Sequence, residues 1–158
     1  MKAPMPLLIS LLFLLPACAA GKAADNSAFE NSSAVERRWS AELRLNDDAL
    51  PLTLVLLSLQ EYAGEARLLI FSAFGASLGD CRLSPDRPVC RKMPGSGPVP
   101  DRVAGAVSRI LDQKPSLLLA AEAGEVSGKG WQAHKRADGL LEYRQGTSWS
   151  LTLTGIKP

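Results

Sequence analysis

The chain has 158 residues, of which 46% are hydrophobic and 22% are charged, and its formal net charge is +2. A charge this close to neutral gives no electrostatic basis for binding nucleic acid, which requires a concentrated basic surface. The length suits one domain with its own hydrophobic core. After the amino-terminal segment, no apolar run is long enough to span a membrane.

Residues 1–18 combine a single lysine, a short apolar run and a terminal cysteine. Lys2 precedes the apolar stretch 7–15, which leads into Leu15-Pro16-Ala17-Cys18. An apolar run of about nine residues is too short for a membrane span and is typical of an export signal. The pattern Leu-x-Ala-Cys resembles the lipobox of bacterial lipoproteins. The resemblance implies that residues 1–17 are removed as a signal peptide and that Cys18 is acylated, for example with palmitate.

The residues around Cys18 also fit a different kind of signal peptide. Ala17-Cys18-Ala19 also fits the A-x-A cleavage pattern of a soluble secreted protein. Residues 18–34 are small and polar, which predicts a flexible tether between the lipidated cysteine and a single domain over 35–158. By the lipoprotein resemblance, Ala19 in place of aspartate favours the periplasmic face of the outer membrane of a Gram-negative bacterium.

The first part of the domain predicts three strands. Residues 38–45 alternate between polar and apolar side chains, which indicates a half-buried strand that starts inward at Trp39. Residues 52–59 are apolar on both faces and predict a strand buried on both sides, with a helix as the alternative. Residues 66–71 follow a turn at Gly64 and predict another strand.

The two cysteines that follow Cys18 predict a structural disulfide, because an even number in an oxidising compartment tends to pair. If Pro85-Asp86 forms the tip of a hairpin, Cys81 lies opposite Cys90. Pro88 then loses no hydrogen bond of the ladder. A redox-active pair would have the shorter Cys-x-x-Cys spacing.

A break rich in proline and glycine at 94–100 precedes a predicted helix. Asp101 stands where an N-cap is expected, and the apolar residues after it share one helical face before the helix ends at Pro115. Residues 116–123 fit a helix or a strand.

The carboxyl-terminal part predicts an antiparallel meander. Residues 131–136 and 141–143 flank a three-residue hairpin turn that has Gly139 at its third position. This register places Trp131, Ala133, Leu141 and Tyr143 on one face, and residues 147–154 form the last alternating strand.

These elements predict an α+β fold that is mainly antiparallel β. We expect seven or eight strands in a curved, open, half-barrel-like sheet, with one or two helices packed on it late in the chain. From Ala66 to Pro94, a strand enters Ser72-Ala73-Phe74-Gly75 and two short strands follow. This arrangement is similar to the outer-membrane lipoprotein receptor and periplasmic carrier families (LolB and LolA), and to small uncharacterised lipoproteins of that fold. The resemblance implies a concave apolar face that is covered by helices and holds acyl chains.

A set of apolar residues is the candidate lining of such a cavity, with an ordinary filled core as the alternative. The set comprises Leu54, Leu56, Leu68, Ile70, Phe71, Phe74, Val107, Ile110 and Leu111. Two groups of basic residues could meet anionic headgroups, or form a solvated polar face. They are Arg87, Arg91 and Lys92 near the cysteine hairpin, and Lys129, Lys135 and Arg136 near the last meander.

The sequence shows no recognisable catalytic constellation. His134 is the only histidine, and its register places it on the surface, away from the face of Trp131. With one histidine and two paired cysteines, a zinc site lacks ligands. We therefore expect a non-catalytic lipoprotein without cofactor or metal, attached to the membrane by its acyl chains, that binds an apolar ligand or a lipidated client. The alternative is a small assembly factor of the pilotin type that chaperones a protein partner.

Overall fold

Nine antiparallel strands form one open sheet in the computed structural model, which describes residues 35–45, 53–62 and 64–156. The side chains at positions 35, 53, 54 and 62 lie outside this description. The elements in chain order are β1 (Val35–Leu45), β2 (Thr53–Tyr62), β3 (Glu65–Ser72), β4 (Ser77–Leu83), β5 (Val89–Lys92), α1 (Val99–Gln113), α2 (Ser116–Leu119), β6 (Gly124–Gly128), β7 (Trp131–Lys135), β8 (Leu141–Gln145) and β9 (Trp149–Gly155).

The sheet consists of two meanders joined side by side. Its strand order is β5-β4-β3-β2-β1-β9-β8-β7-β6, and the pairing of β1 with β9 joins the two halves. The end strands β5 and β6 do not pair with each other, so the sheet remains open. The predicted class, a mainly antiparallel open sheet with helices late in the chain, is confirmed. The signal peptide and tether predicted over 1–34 lie outside the described residues.

One face of the sheet, called the inner face below, carries the core. Ala41 of β1 lies between Val55 of β2 and Leu153 of β9 in the ladder, and all three side chains are buried. The same alternation continues along the other long strands because side chains in a strand point to opposite faces in turn. The inner-face residues are Trp39, Ala41, Leu43, Val55, Leu57, Leu59, Leu68, Ile70, Cys81, Trp131, Ala133, Leu141, Tyr143, Leu151 and Leu153.

Helix α1 covers the inner face. Its side chains Val103, Val107 and Ile110 are fully buried in the same core cluster as the strands. Its first turn lies directly against β4, where a Cβ atom built on Gly79 would come within 2.8 Å of the Cβ of Pro100. A side chain at position 79 would therefore force the helix away from the strand.

The start of α1 differs from the prediction. The helix begins at Val99 after Pro98, so the expected N-cap at Asp101 is wrong. Pro100 lies in the first helical turn. Proline is favoured there because its fixed φ suits the helix and its missing N–H would have no intrahelical partner. Asp101 instead lies in the first turn, where its carboxylate accepts a hydrogen bond from Lys92 Nζ at 2.8 Å.

The cysteine hairpin has the predicted register. Cys81 pairs with Cys90 across β4 and β5, and their Cα atoms are 4.0 Å apart. Their sulfur atoms lie at disulfide-bonding distance, 2.09 Å. The predicted pairing is therefore confirmed.

In three further segments the structure differs from the sequence-based prediction or decides between its alternatives. Residues 52–59 were expected to be buried on both faces, but Leu56 of β2 is 37% exposed because the helices cover only the inner face. The ambiguous segment 116–123 begins with the short helix α2, and β6 is a strand that the sequence pattern did not predict. Among the described residues, no helix is long and apolar enough to cross a membrane.

Candidate functional site

The candidate lining residues fall into two groups. Leu68 and Ile70 of β3 lie on the inner face and share the core cluster with Val107 and Ile110 of α1. Leu111, also on α1, is partly buried and packs against that cluster. A single apolar surface between α1 and the sheet can therefore include these five residues.

The remaining candidates lie elsewhere. Leu56 and Phe71 form a cross-strand pair on the opposite, outer face of β2 and β3. Phe74 lies in the turn between β3 and β4, and its side chain is 99% exposed. The side chain of Leu54 lies outside the described residues. The structure thus does not bring these residues to the face that α1 covers.

Three aromatic rings form a row on the inner face of adjacent strands. The rings of Trp131 and Tyr143 stack with centroids 5.6 Å apart, and Tyr143 and Trp149 lie 5.2 Å apart with tilted planes. Tyr143 is fully buried, whereas Trp149 is partly exposed. The part of the row from Tyr143 to Trp149 therefore extends from buried to partly exposed surface.

A polar network ties α1 to this row. Nη1 of Arg109 donates to the hydroxyl of Tyr143 at 2.6 Å and to Oε1 of Gln145. The Tyr143 hydroxyl donates to the same Oε1 at 2.7 Å, and Nε2 of Gln145 donates to the carbonyl of Gly130 at 3.2 Å. The network satisfies a buried hydroxyl and fixes the position of one guanidinium group on the helix.

Burial raises the pKa of Tyr143 above its ordinary value of 10.0, and the hydrogen bond from Arg109 opposes part of this increase. A neutral hydroxyl is therefore favoured, which keeps its proton available for Gln145.

Helix α2 is held by cationic side chains from the sheet. Nζ of Lys135 donates to the carbonyls of Leu117 at 3.0 Å and Ala120 at 2.5 Å, and Nη2 of Arg37 donates to the carbonyl of Leu119 at 3.2 Å. The final carbonyls of a helix have no intrahelical donor, so these contacts satisfy them. Burial lowers the pKa of Lys135, and the nearby charge of Arg37 lowers it further.

Lys135 therefore does not belong to the basic surface group in which the sequence placed it. It is only 8% exposed, whereas Lys129 and Arg136 are exposed as expected. Arg87, Arg91 and Lys92 are exposed near the cysteine hairpin. The predicted surface position of His134 is confirmed.

The described part of the chain holds no cluster of metal-binding side chains. Within residues 35–45, 53–62 and 64–156, no group of three or more His, Cys, Asp or Glu side chains is arranged to hold a metal ion. No protein-family model matches the chain, and no curated protein matches it. The function must therefore be argued from the geometry of the inner face and the helix that covers it.

The buried hydroxyl of Tyr143 predicts a specific alkaline sensitivity. Because the folded-state pKa lies above the unfolded value, the unfolded chain loses this proton first, and stability falls as the pH rises above 10.0. Tyr143→Phe should cost about 1 kcal/mol at pH 7 through the lost hydrogen bonds. Urea unfolding should show that this difference between wild type and variant shrinks above pH 10.0. If the difference in unfolding free energy between wild type and Tyr143→Phe stayed constant as the pH rose above 10.0, the raised pKa of Tyr143 would be contradicted.

Proposed function

We propose that this protein is a lipid-anchored, non-catalytic binding protein of the periplasmic face of the outer membrane. It holds an apolar ligand, or the acyl chains of a lipidated client, between α1 and the inner face of the sheet. The observation that carries this proposal is an open sheet whose apolar face is covered mainly by the amphipathic helix α1, with the short helix α2 beside it.

The cover can move without breaking the sheet. Strand pairing does not involve α1, so displacing the helix leaves every ladder hydrogen bond intact. Besides core packing, α1 is held to the strands and their hairpin by polar contacts. These include Arg109 with Tyr143 and Gln145, and the hydroxyl of Ser108, which donates to the carbonyl of Ser84.

The energies of the closed and ligand-bound arrangements are comparable. Each large apolar side chain that α1 buries contributes roughly 1.5–3 kcal/mol, and Val103, Val107 and Ile110 are the fully buried ones of this size. A buried methylene contributes about 0.8 kcal/mol, so an acyl chain of about twelve carbons can compensate for the helix that it displaces. Leu68, Ile70, Val107, Ile110 and Leu111 would then contact the chain.

The anchor belongs to the proposal as well. The lipobox resemblance supports acylation of Cys18, and two or more acyl chains hold a protein stably on a bilayer. The small polar segment 18–34 gives the domain freedom to reach a ligand near that bilayer.

A second candidate function is supported by a different surface. Phe74 is 99% exposed in a turn, and its neighbours Ala73, Gly75 and Ala76 carry no charge. An assembly factor of the pilotin type would use such a tip, together with the outer-face pair of Leu56 and Phe71, to dock on a protein partner.

Ligand binding at the inner face can be measured by energy transfer from tryptophan. Trp39, Trp131 and Trp149 lie on that face, so they should transfer excitation to cis-parinaric acid, a conjugated fatty acid, held beneath α1. The protein to use is the mature chain with Cys18→Ser, which carries no acyl groups. Leu68→Ala should bind several-fold more tightly because it enlarges the space beneath the helix, although it costs about 2–5 kcal/mol of stability.

The matched control is Leu69→Ala, the neighbouring position on the outer face of β3. It should bind within about twofold of wild type, as should Phe74→Ser. Absence of saturable transfer in the wild type would overturn the proposal. The assembly factor would be favoured if the wild type bound no fatty acid but captured a protein partner that Phe74→Ser did not capture.

The intact mass of the protein expressed with its own signal in a Gram-negative host tests the anchor. The expected chain begins at Cys18, carries added acyl mass and lacks two hydrogens because Cys81 and Cys90 are joined. A chain that begins at Ala20 without acylation would make the protein soluble in the periplasm and would contradict the anchor.

A further inference from the structure

Two arginines on α1 have no acidic partner among the described residues. Arg38, Arg67 and Arg144 each form a salt bridge with a carboxylate. Arg102 and Arg109 form none with any residue that the structure describes. Two positive charges on the helix that covers the inner face are therefore not neutralised there.

Arg102 has an unsatisfied donor. Its Nη1 atom is buried, and it has no hydrogen-bond partner among the described residues. Buried polar groups nearly always have a partner, so each exception requires an explanation. Because a guanidinium group has five N–H donors and no acceptor, the missing partner must be an acceptor, and an anionic oxygen would be the strongest one.

Arg109 is held in place by neutral groups only. Its Nη1 atom donates to Tyr143 and Gln145 and thereby fixes the orientation of the guanidinium plane. Its Nε and Nη2 atoms donate to no residue in the described part of the chain. The planar fork of these atoms matches the two oxygens of a carboxylate or phosphate group.

Gly105 lies between the two arginines on the same side of the helix. Positions 102, 105 and 109 have the spacing i, i+3, i+7, which places them within about 60° of arc and about 10 Å along the axis. The three positions therefore lie along one edge of α1. A Cβ atom built on Gly105 would meet no other atom within 4 Å, so packing within the protein does not require glycine there.

A glycine inside a helix is unfavourable relative to alanine. A glycine at a position where alanine would fit therefore needs an explanation other than packing. Without a side chain at 105, a group held between Arg102 and Arg109 can approach the helix backbone closely. The same edge of α1 borders the aromatic row through the contact of Arg109 with Tyr143, so a charged group there lies next to the apolar inner face.

We propose that Arg102 and Arg109, with Gly105 between them, bind the anionic headgroup of the apolar ligand. Carboxylate or phosphate oxygens accept hydrogen bonds from both guanidinium groups, and the acyl chain passes from there beneath α1. This inference rests on the proposed function, because it assigns the polar end of the ligand that the inner face holds.

The test compares ligands that differ only in their head. Dodecanoate, dodecyl phosphate and the neutral dodecanol compete with cis-parinaric acid for the mature Cys18→Ser chain, its Arg102→Gln variant and its Arg109→Gln variant. Wild type should bind both anions about tenfold or more tightly than dodecanol, since charge-assisted hydrogen bonds are stronger than neutral ones. Each variant should lose most of that preference and retain its affinity for dodecanol.

Arg144→Gln is the matched control, because Arg144 lies on the opposite face of β8 and pairs with Glu142. It should keep the preference for anions. Arg102→Gln is the decisive variant because it removes the buried Nη1 donor that has no hydrogen-bond partner among the described residues. A larger preference for dodecyl phosphate than for dodecanoate would assign a phospholipid-like head, and the reverse would assign a fatty acid.

Failure of the headgroup assignment can be distinguished from failure of the proposed function. If dodecanol and the anions bind wild type equally, or if both variants keep the preference, the headgroup assignment is overturned while the apolar site stands. If no ligand with a twelve-carbon chain displaces cis-parinaric acid, the proposed function fails and the headgroup assignment fails with it.

Discussion

An open sheet with one apolar face is stable in water only if that face is covered. No second sheet packs against the inner face in the described domain, and β5 and β6 do not pair to close it. Helix α1 therefore supplies the cover. Gly79 lets its first turn approach β4, Arg109 ties its middle to β8, and α2 continues it, held by Lys135.

This arrangement separates the hydrogen bonding between strands from the position of the helix. The ladder hydrogen bonds run from β5 to β6 without any contribution from α1. The helix is held mainly by apolar packing, which an acyl chain can replace because hydrophobic burial is not directional. A cover with these properties suits the proposed binding of apolar ligands, and the proposed role of Arg102 and Arg109 is to recognise the polar head.

The sequence predicts the strands well wherever one face is polar. Alternation in β1 and β7 identifies their inward residues, and the prolines of the cysteine hairpin fix its register. The sequence does not show which residues of β2 face the core, because 52–59 is apolar at nearly every position. The candidate lining therefore includes Leu56, which faces outward, and lacks Val55 and Leu57, which face the core.

Other features depend on contacts that local sequence does not encode. The strand β6 has one apolar residue, Val126, and becomes a strand by pairing with β7. The burial of Lys135 depends on the carbonyls of α2, which lie fifteen or more residues earlier in the chain. The proposed anion site requires the spacing of Arg102, Gly105 and Arg109 on a helix together with a buried donor that the sequence alone does not reveal.

Hydrogen exchange of the backbone amides can show whether α1 is a movable cover over a ligand site. Adding dodecanoate to the mature Cys18→Ser chain should change the exchange of amides in α1, between Val103 and Ile110, and leave the central strands β1 and β2 unchanged. Exchange in α1 that does not respond to the ligand, while the ligand is bound, would contradict the account.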